Sequence, residues 1–102
     1  MACFDVHRLR ASRATLVVDV QTDVLAHLGS RVVVPLTPLR LTEREVFRIL
    51  KPQVEVAGEP YVFLPTDIAT VLVSELGDVV ANIETASRDA ITRALDFLFQ
   101  GN

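Results

Sequence analysis

The side chains of this chain that could carry out catalysis or bind a metal are few and widely spaced. Cys3 and His7 are four residues apart, but they fall at a strand-like segment and not on a helix, His27 is distant, and there is no second cysteine. Cys3 would be a nucleophile only beside a histidine that a third residue orients. The four glycines are isolated and form no phosphate-binding loop. We therefore expect Cys3 to be a small buried side chain, and we expect no metal and no cofactor.

Two carboxylates and three arginines form the remaining short-range groupings. Asp19 lies within a strand-like segment and Asp23 falls in the loop after it, so nothing positions the pair as a general acid and base. We interpret both as structural carboxylates. Arg8, Arg10 and Arg13 form a basic cluster that could bind phosphate, but the cluster lacks interleaved aromatic residues for base stacking. A solvated hairpin surface or a docking site for an acidic peptide is the better interpretation.

The elements that must position these residues can be predicted from the hydrophobic pattern. Apolar, β-branched segments separated by turn residues predict five or six short strands. The first two are expected to pair as a hairpin around residues 11–13, and the loop at residues 57–60 predicts a second hairpin. The predicted strands cover residues 4–9, 15–21, 31–36, 54–56, 61–64 and 71–75.

The end of the chain has the period of an amphipathic helix. Ser87 is its predicted N-cap and Gly101 its predicted C-terminal stop. Phe99 falls one step round from Leu98, so it is either exposed, as an interface residue would be, or half-buried in the core. Thr42–Glu45 also match a capping box, although Pro52 limits any helix there to two or three turns. The apolar face of the terminal helix comprises Ile91, Ala94, Leu95 and Leu98.

Composition indicates one globular domain over residues 1–102. Half of the 102 residues are hydrophobic, which is enough for a real core and argues against general disorder. No apolar stretch approaches the roughly 20 residues of a membrane span, and the N-terminal residues do not resemble a signal peptide, so we expect a cytoplasmic protein. Residues 1–51 carry a net charge of +3 and residues 52–102 carry −6. This asymmetry favours an acidic partner on one side of the molecule.

Four strings of residues, in order along the chain, carry a family resemblance. They are VDVQTD at residues 18–23, RVVVPL at 31–36, PTDIATV at 65–71 and FLFQG at 97–101. Together they resemble the CcdB family of toxins from toxin–antitoxin systems, over the whole chain and almost without gaps. The resemblance implies an α+β fold with a small SH3-like twisted antiparallel β-barrel body, one C-terminal α-helix, and assembly as a homodimer.

The resemblance also implies a function and a set of partners. CcdB-like toxins bind the A subunit of bacterial DNA gyrase, trap it covalently attached to broken DNA, and are not themselves enzymes. A cognate antitoxin wraps the toxin with a disordered acidic segment, and the complex binds operator DNA only through the antitoxin to repress the shared operon. The basic bias of the first half of the chain suits such a segment. The antitoxin is expected to contact Arg8, Arg10, Arg13 and Arg40.

The gyrase-binding surface implied by the resemblance lies after the second strand and at the end of the helix. This chain departs from the plasmid-type toxin there, because it has Gln100 in place of Trp, Asn102 in place of Ile and Asp96 in place of Asn. Loss of the Trp removes a large anchor for cation–π contact. The expected surface comprises Val24, Leu25, Asp96, Phe99, Gln100, Gly101 and Asn102.

Two other functions are compatible with the resemblance. One is a detoxified homologue that only binds its antitoxin. The other is a MazF-like endoribonuclease, since MazF toxins share the fold; it would need an arginine and a neighbouring Ser or Thr around the scissile phosphate. Arg31 with Thr37 or Thr66 is the candidate for that arrangement.

Overall fold

The computed structural model describes residues 2–42 and 49–101. Asn102 and most of the predicted capping segment Thr42–Glu45 lie outside these ranges. The described part of the chain contains seven strands followed by one helix. They are β1 (Asp5–Leu9), β2 (Leu16–Asp19), β3 (Ser30–Pro38), β4 (Gln53–Val56), β5 (Glu59–Phe63), β6 (Ala69–Leu72), β7 (Leu76–Asn82) and α1 (Glu84–Gln100).

The strands form a curled antiparallel sheet in the order β4-β5-β3-β2-β1-β7. Strand β3 is the longest and pairs with three partners: β2 along one edge, and on the other edge β6 near its start and β5 near its end. Because β5 and β6 share one edge of β3, the sheet bends into a half-barrel with α1 packed against it. This confirms the expected α+β fold with a twisted, barrel-like body.

The main core lies between the sheet and α1. Val6, Val18 and Val34 lie side by side on three neighbouring strands and are completely buried. Ile91 and Ala94 of α1 pack into the same cluster. Burial of each Val or Ile side chain contributes roughly 1.5–3 kcal/mol, so this layer fixes where the helix lies. A smaller cluster on the other sheet face contains Val17, Val33 and Leu76.

The predicted hairpins are confirmed, and the second is tighter than expected. Its turn consists of Ala57 and Gly58 alone, since Val56 already pairs with Glu59. Both turn residues have positive φ, 51° and 83°, as a two-residue hairpin turn requires. Glycine adopts this conformation without strain, which explains Gly58.

Two features of the last third of the chain differ from the sequence analysis. Strand β7 was not predicted, because its residues do not alternate cleanly: Leu76 is buried and the others are half-buried or exposed. Ser87 is not the N-cap: α1 begins at Glu84, and Ser87 is buried inside it. The Asn82 side chain accepts a hydrogen bond from the Glu84 N–H at 3.1 Å, and so takes the capping role just before the helix. Gly101 ends α1 with φ of 74°, as predicted.

Candidate binding site on α1 and the exposed turn

A short turn after β2 presents two apolar side chains to solvent. It is a single 3₁₀ turn, Asp23–Leu25, and it contains no buried residue. Val24 is 81% exposed and Leu25 is 39% exposed. Since a surface valine so fully exposed gains nothing from folding, this turn is a candidate contact for a partner.

A groove of about 360 Å³ separates this turn from α1. The N-terminal residues form its floor, and the helix forms its far wall. A second groove, of about 510 Å³, continues along the helix toward its end and is lined by Asp89, Thr92, Arg93, Asp96 and Gln100. The first groove is lined by Cys3, Phe4, Val20, Thr22, Asp23, Val24, Glu84, Arg88 and Thr92.

Thr92 joins the two grooves, because its side chain lines both. The two grooves therefore place Val24, Asp96 and Gln100 along one side of the molecule. Phe99 follows Thr92 by seven residues, which is two helical turns and the same helix face. Phe99 is 66% exposed, which decides between the exposed and the half-buried alternatives.

The end of the helix is held by its cap. The N–H of Gly101 donates to the carbonyl of Phe97 at 3.0 Å. This bond closes the last turn and fixes the backbone on which Phe99 and Gln100 are carried. Leu25 lies beside Val24 on the exposed turn but lines neither groove, and Asn102 lies beyond the described residues.

Arg31 is not available to bind a phosphate. Its side chain is completely buried, and its Nε donates to Oδ2 of Asp19 at 2.6 Å. This hydrogen bond raises the pKa of Arg31. Thr37 lies six residues further along the same strand, about 20 Å away, and Thr66 is exposed on another turn. The proposed grouping of Arg31 with Thr37 or Thr66 is therefore wrong as a catalytic site.

Cys3 is half-buried rather than fully buried, and it lines the groove beside the exposed turn. Burial raises the pKa of its thiol, and the negative charges of Asp19 and Asp23 raise it further. His7 lies within the sheet, where its Nδ1 is 3.1 Å from the carbonyl oxygen of Gly77. Neither histidine lines the groove of Cys3, and among residues 2–42 and 49–101 no three His, Cys, Asp or Glu side chains are grouped as metal ligands would be.

A separate basic recess of about 180 Å³ lies at the β1–β2 hairpin, and we call it the arginine recess. Arg8, Arg10 and Arg13 line it, together with Leu9, Gly77 and Asp78. Backbone carbonyls orient two of the guanidinium groups: Arg8 Nη1 donates to the carbonyl of Arg13 at 3.0 Å, and Arg10 Nε donates to that of Leu76 at 3.1 Å. The sequence cluster is thus brought into one cavity.

Arg40 does not join the arginine recess. It lies beyond the end of β3, at the same end of the sheet as the hairpin, and lines a different groove. That groove also contains Pro38, Glu59, Pro60 and Tyr61.

Sequence reasoning missed the Asp19–Arg31 pair and the role of Thr92. Asp19 and Arg31 are twelve residues apart, and only the pairing of β2 with β3 brings them together. Thr92 was hidden because a lone threonine on an exposed helix face has no recognisable pattern. The helical period from Thr92 to Phe99 was the one signal available in the sequence.

Within the described ranges no helix is long and apolar enough to cross a membrane. The same half-barrel with one C-terminal helix is found in several solved structures. An endoribonuclease in complex with its cognate antitoxin, from mycobacterial species, has a TM-score of 0.78 at 21% identity, over 97% of this chain and 94% of that one.

Two further solved structures have the same fold. A mycobacterial endoribonuclease has a TM-score of 0.75 at 22% identity, over 97% of this chain and 90% of that one. The Mycobacterium tuberculosis toxin MazF-mt6 has a TM-score of 0.75 at 21% identity, over 93% of this chain and 95% of that one.

The family model described as CcdB protein matches residues 3–101. The chain therefore belongs to the CcdB family of toxins from toxin–antitoxin systems. One expectation needs correction: the resemblance implied that the chain is not an enzyme, and its structural neighbours are named as endoribonucleases. Because the same fold is found in ribonucleases, that expectation is overturned.

Proposed function

We propose that this toxin binds the A subunit of DNA gyrase and stabilises the cleaved complex of gyrase and DNA. The contact surface, which we call the helix–turn surface, comprises Val24, Leu25, Asp96, Phe99, Gln100, Gly101 and Asn102. The observation that carries the proposal is the joint exposure of Val24 and Phe99 on the side of the molecule where Thr92 joins the two grooves.

The chemistry of this surface suits a protein partner. Exposed apolar side chains at the centre of a polar rim are typical of binding hot spots, where truncation of an aromatic residue often costs about 2 kcal/mol or more. Asp96 and Arg93 supply the polar rim, and both are exposed. A partner that covers Asp96 must offer it a cation or a hydrogen-bond donor, because an unpaired buried charge is costly.

The arginine recess supports a second partner, an acidic antitoxin segment. Arg8, Arg10 and Arg13 converge there with two guanidinium groups already held by carbonyls, so little conformational entropy is lost when carboxylates bind. Arg40 extends the positive charge at the same end of the sheet. In this proposal the toxin acts in the cytoplasm as a homodimer, and it reaches operator DNA only through the antitoxin.

A gyrase cleavage assay tests the proposal. The purified chain is incubated with gyrase, supercoiled DNA and ATP, and linear DNA is measured after treatment with denaturant and protease. We expect linear DNA with the wild type and a marked loss with Val24→Ala and Phe99→Ala. Val79→Ala is the matched control, because Val79 is also exposed, at 51%, but lies on β7. No linear DNA from the wild type, in the presence of a known poison as positive control, would contradict the proposal.

RNA cleavage is the second candidate function. The observation that favours it is the endoribonuclease identity of two neighbours that match 97% of this chain, together with the arginine recess as a place for the RNA backbone. The test incubates the pure chain with a mixed RNA substrate and follows fragment length. Cleavage that disappears in Arg10→Ala would favour this candidate, and intact RNA would dismiss it.

A further inference from the structure

The side chain of Gln21 bonds the exposed turn to the neighbouring strand. The turn has no buried residue of its own, so apolar packing does not fix it. The Gln21 side chain is 8% exposed, and its Nε2 donates to the carbonyls of Leu25 at 3.2 Å and Ser30 at 3.3 Å. Its Oε1 accepts from the N–H of Val32 at 3.1 Å. One side chain therefore bonds the turn, the end of the loop and the adjoining strand.

Gln21 is itself fixed by the buried ion pair. Its backbone N–H donates to Oδ1 of Asp19 at 2.9 Å, and its carbonyl accepts from Nη2 of Arg31 at 3.3 Å. Asp19 and Arg31 are joined to each other at 2.6 Å. The backbone of Gln21 is thus fixed by the buried ion pair, so its side-chain amide can hold the loop in one position.

Asp23 holds the turn from the other side. Its Oδ1 accepts from the backbone N–H of Cys3 at 2.8 Å, which ties the turn to the N-terminal segment. The next residue, Phe4, has a strained backbone with φ of 69° and is locked between Asp19 and Ile83 by two backbone hydrogen bonds. Strain of this kind persists only where the surrounding structure fixes the backbone.

We propose that Gln21 and Asp23 are positioning residues, which hold the Asp23–Leu25 turn so that Val24 and Leu25 meet the partner in a preformed arrangement. This inference rests on the proposed function of the helix–turn surface. A turn ordered before binding loses less conformational entropy on association, which strengthens binding without a contact from the positioning residue itself.

The test uses substitutions that remove these bonds and spare the rest. Gln21→Met keeps the unbranched shape of the side chain and the backbone bonds to Asp19 and Arg31. Gln53→Met is the matched control, because Gln53 is exposed on β4. Asp23→Ala and its conservative counterpart Asp23→Asn form the second pair, in which the asparagine retains the acceptor for Cys3. The Asp23 side chain is 63% exposed, so neither change threatens the core.

Two measurements are made on every variant. Hydrogen exchange is measured at the amides of Leu25, Ala26 and Leu28, which are bonded within the loop. Affinity for the gyrase A subunit is measured alongside it. We expect at least roughly tenfold faster loop exchange and weaker binding for Gln21→Met, which loses three hydrogen bonds, and roughly tenfold effects for Asp23→Ala, which loses one. Strand amides other than that of Val32, and the variants Gln53→Met and Asp23→Asn, should stay near wild type.

The outcomes separate this inference from the proposed function. Unchanged loop exchange in both variants overturns the positioning roles, and so does a uniform rise over the whole sheet, which marks a purely structural residue. If Gln21→Met does not fold, the comparison of loop exchange in Asp23→Ala and Asp23→Asn decides whether the positioning role holds. If the wild type does not bind gyrase, the proposed function fails, whereas faster loop exchange still supports the hold on the turn.

Discussion

The carboxylate of Asp19 and the guanidinium of Arg31 meet at 2.6 Å with both side chains completely buried. Asp23 lies at the edge of this pair, 3.9 Å from Nη2 of Arg31, with a largely exposed side chain. Nη1 of Arg31 is buried and has no hydrogen-bond partner among the described residues. The sheet therefore carries a buried charge pair directly beneath the loop that presents Val24.

Removal of one partner of this pair should be strongly destabilising. Arg31→Met leaves the Asp19 carboxylate buried without its cation, and such changes typically cost about 3–5 kcal/mol. Urea unfolding followed by circular dichroism measures the loss. The double variant Asp19→Leu with Arg31→Met should recover much of that loss, since no buried charge remains. A single variant as stable as the wild type would contradict this account.

Gly77 is required where β7 lies closest to β1, its antiparallel partner. A Cβ at this position would lie 2.8 Å from the backbone carbonyl oxygen of Arg8, which is closer than such atoms can approach. Gly77→Ala must therefore push the two strands apart, and we expect a loss of about 1–3 kcal/mol in the free energy of unfolding. Gly29→Ala is the control, because a Cβ there has no neighbour within 4 Å. Equal stability of the two variants would show that β7 moves aside without cost.

The fold was largely predictable because its signals are local. The β-branched run around Val18 and the helical period from Ile91 to Leu98 are each visible within one segment. Strand β7 was not visible, since it is stabilised by pairing with β1 and its half-buried and exposed residues do not alternate. The start of α1 was missed for a similar reason: its cap is the side chain of Asn82, in the preceding strand.

Cys3 should react slowly with alkylating reagents. Burial, then Asp19 and Asp23, raises the pKa of its thiol, so less thiolate is present at a given pH than in the unfolded chain. We expect alkylation by iodoacetamide near pH 8 to be several-fold slower in the folded than in the denatured protein. Asp23→Asn removes one of the charges and should speed the reaction. Equal rates in folded and denatured protein would contradict the pKa shift.

The same shift makes stability depend on pH in the alkaline range. With the folded pKa raised, the unfolded chain releases the thiol proton first as the pH rises. The free energy of unfolding should therefore be unaffected by this group at neutral pH and should fall once the pH passes the value at which a free thiol ionises. In Cys3→Ala this component of the pH dependence should be absent, which a comparison of urea unfolding at pH 7 and above pH 9 measures.

Charge reversal in the arginine recess should weaken antitoxin binding. Arg13→Glu is the informative change, because the Arg13 side chain is exposed and its carbonyl bond to Arg8 does not depend on its identity. We expect about tenfold weaker binding of an acidic antitoxin peptide at low salt, and a smaller effect at 0.5 M salt. Arg93→Glu on α1 is the control. Equal losses from both variants would show that total charge, and not the recess, governs binding.

The candidate site could be predicted only in part from the sequence. Val24, Leu25 and Phe99 were all proposed from the family resemblance, and the helical period left Phe99 either exposed or half-buried. The residues that hold the site, Gln21 and Arg31, act through strand pairing and through carbonyls that no local pattern marks. A resemblance transfers the surface of a family, whereas the buried network that supports this surface became visible only in three dimensions.

Gln100→Trp should strengthen gyrase binding if the helix–turn surface is the contact. Gln100 is exposed and lines the same groove as Asp96, so an indole there adds an aromatic anchor that can stack on a cation of the partner. We expect about tenfold tighter binding, together with more linear DNA in the cleavage assay. The chain has no other Trp, so quenching of the new indole reports contact directly. Ala86→Trp, in the first turn of α1 and about 20 Å from Gln100 along the helix axis, is the control. If the control is quenched and tightens binding as much as Gln100→Trp does, or if neither responds, gyrase contacts a different surface.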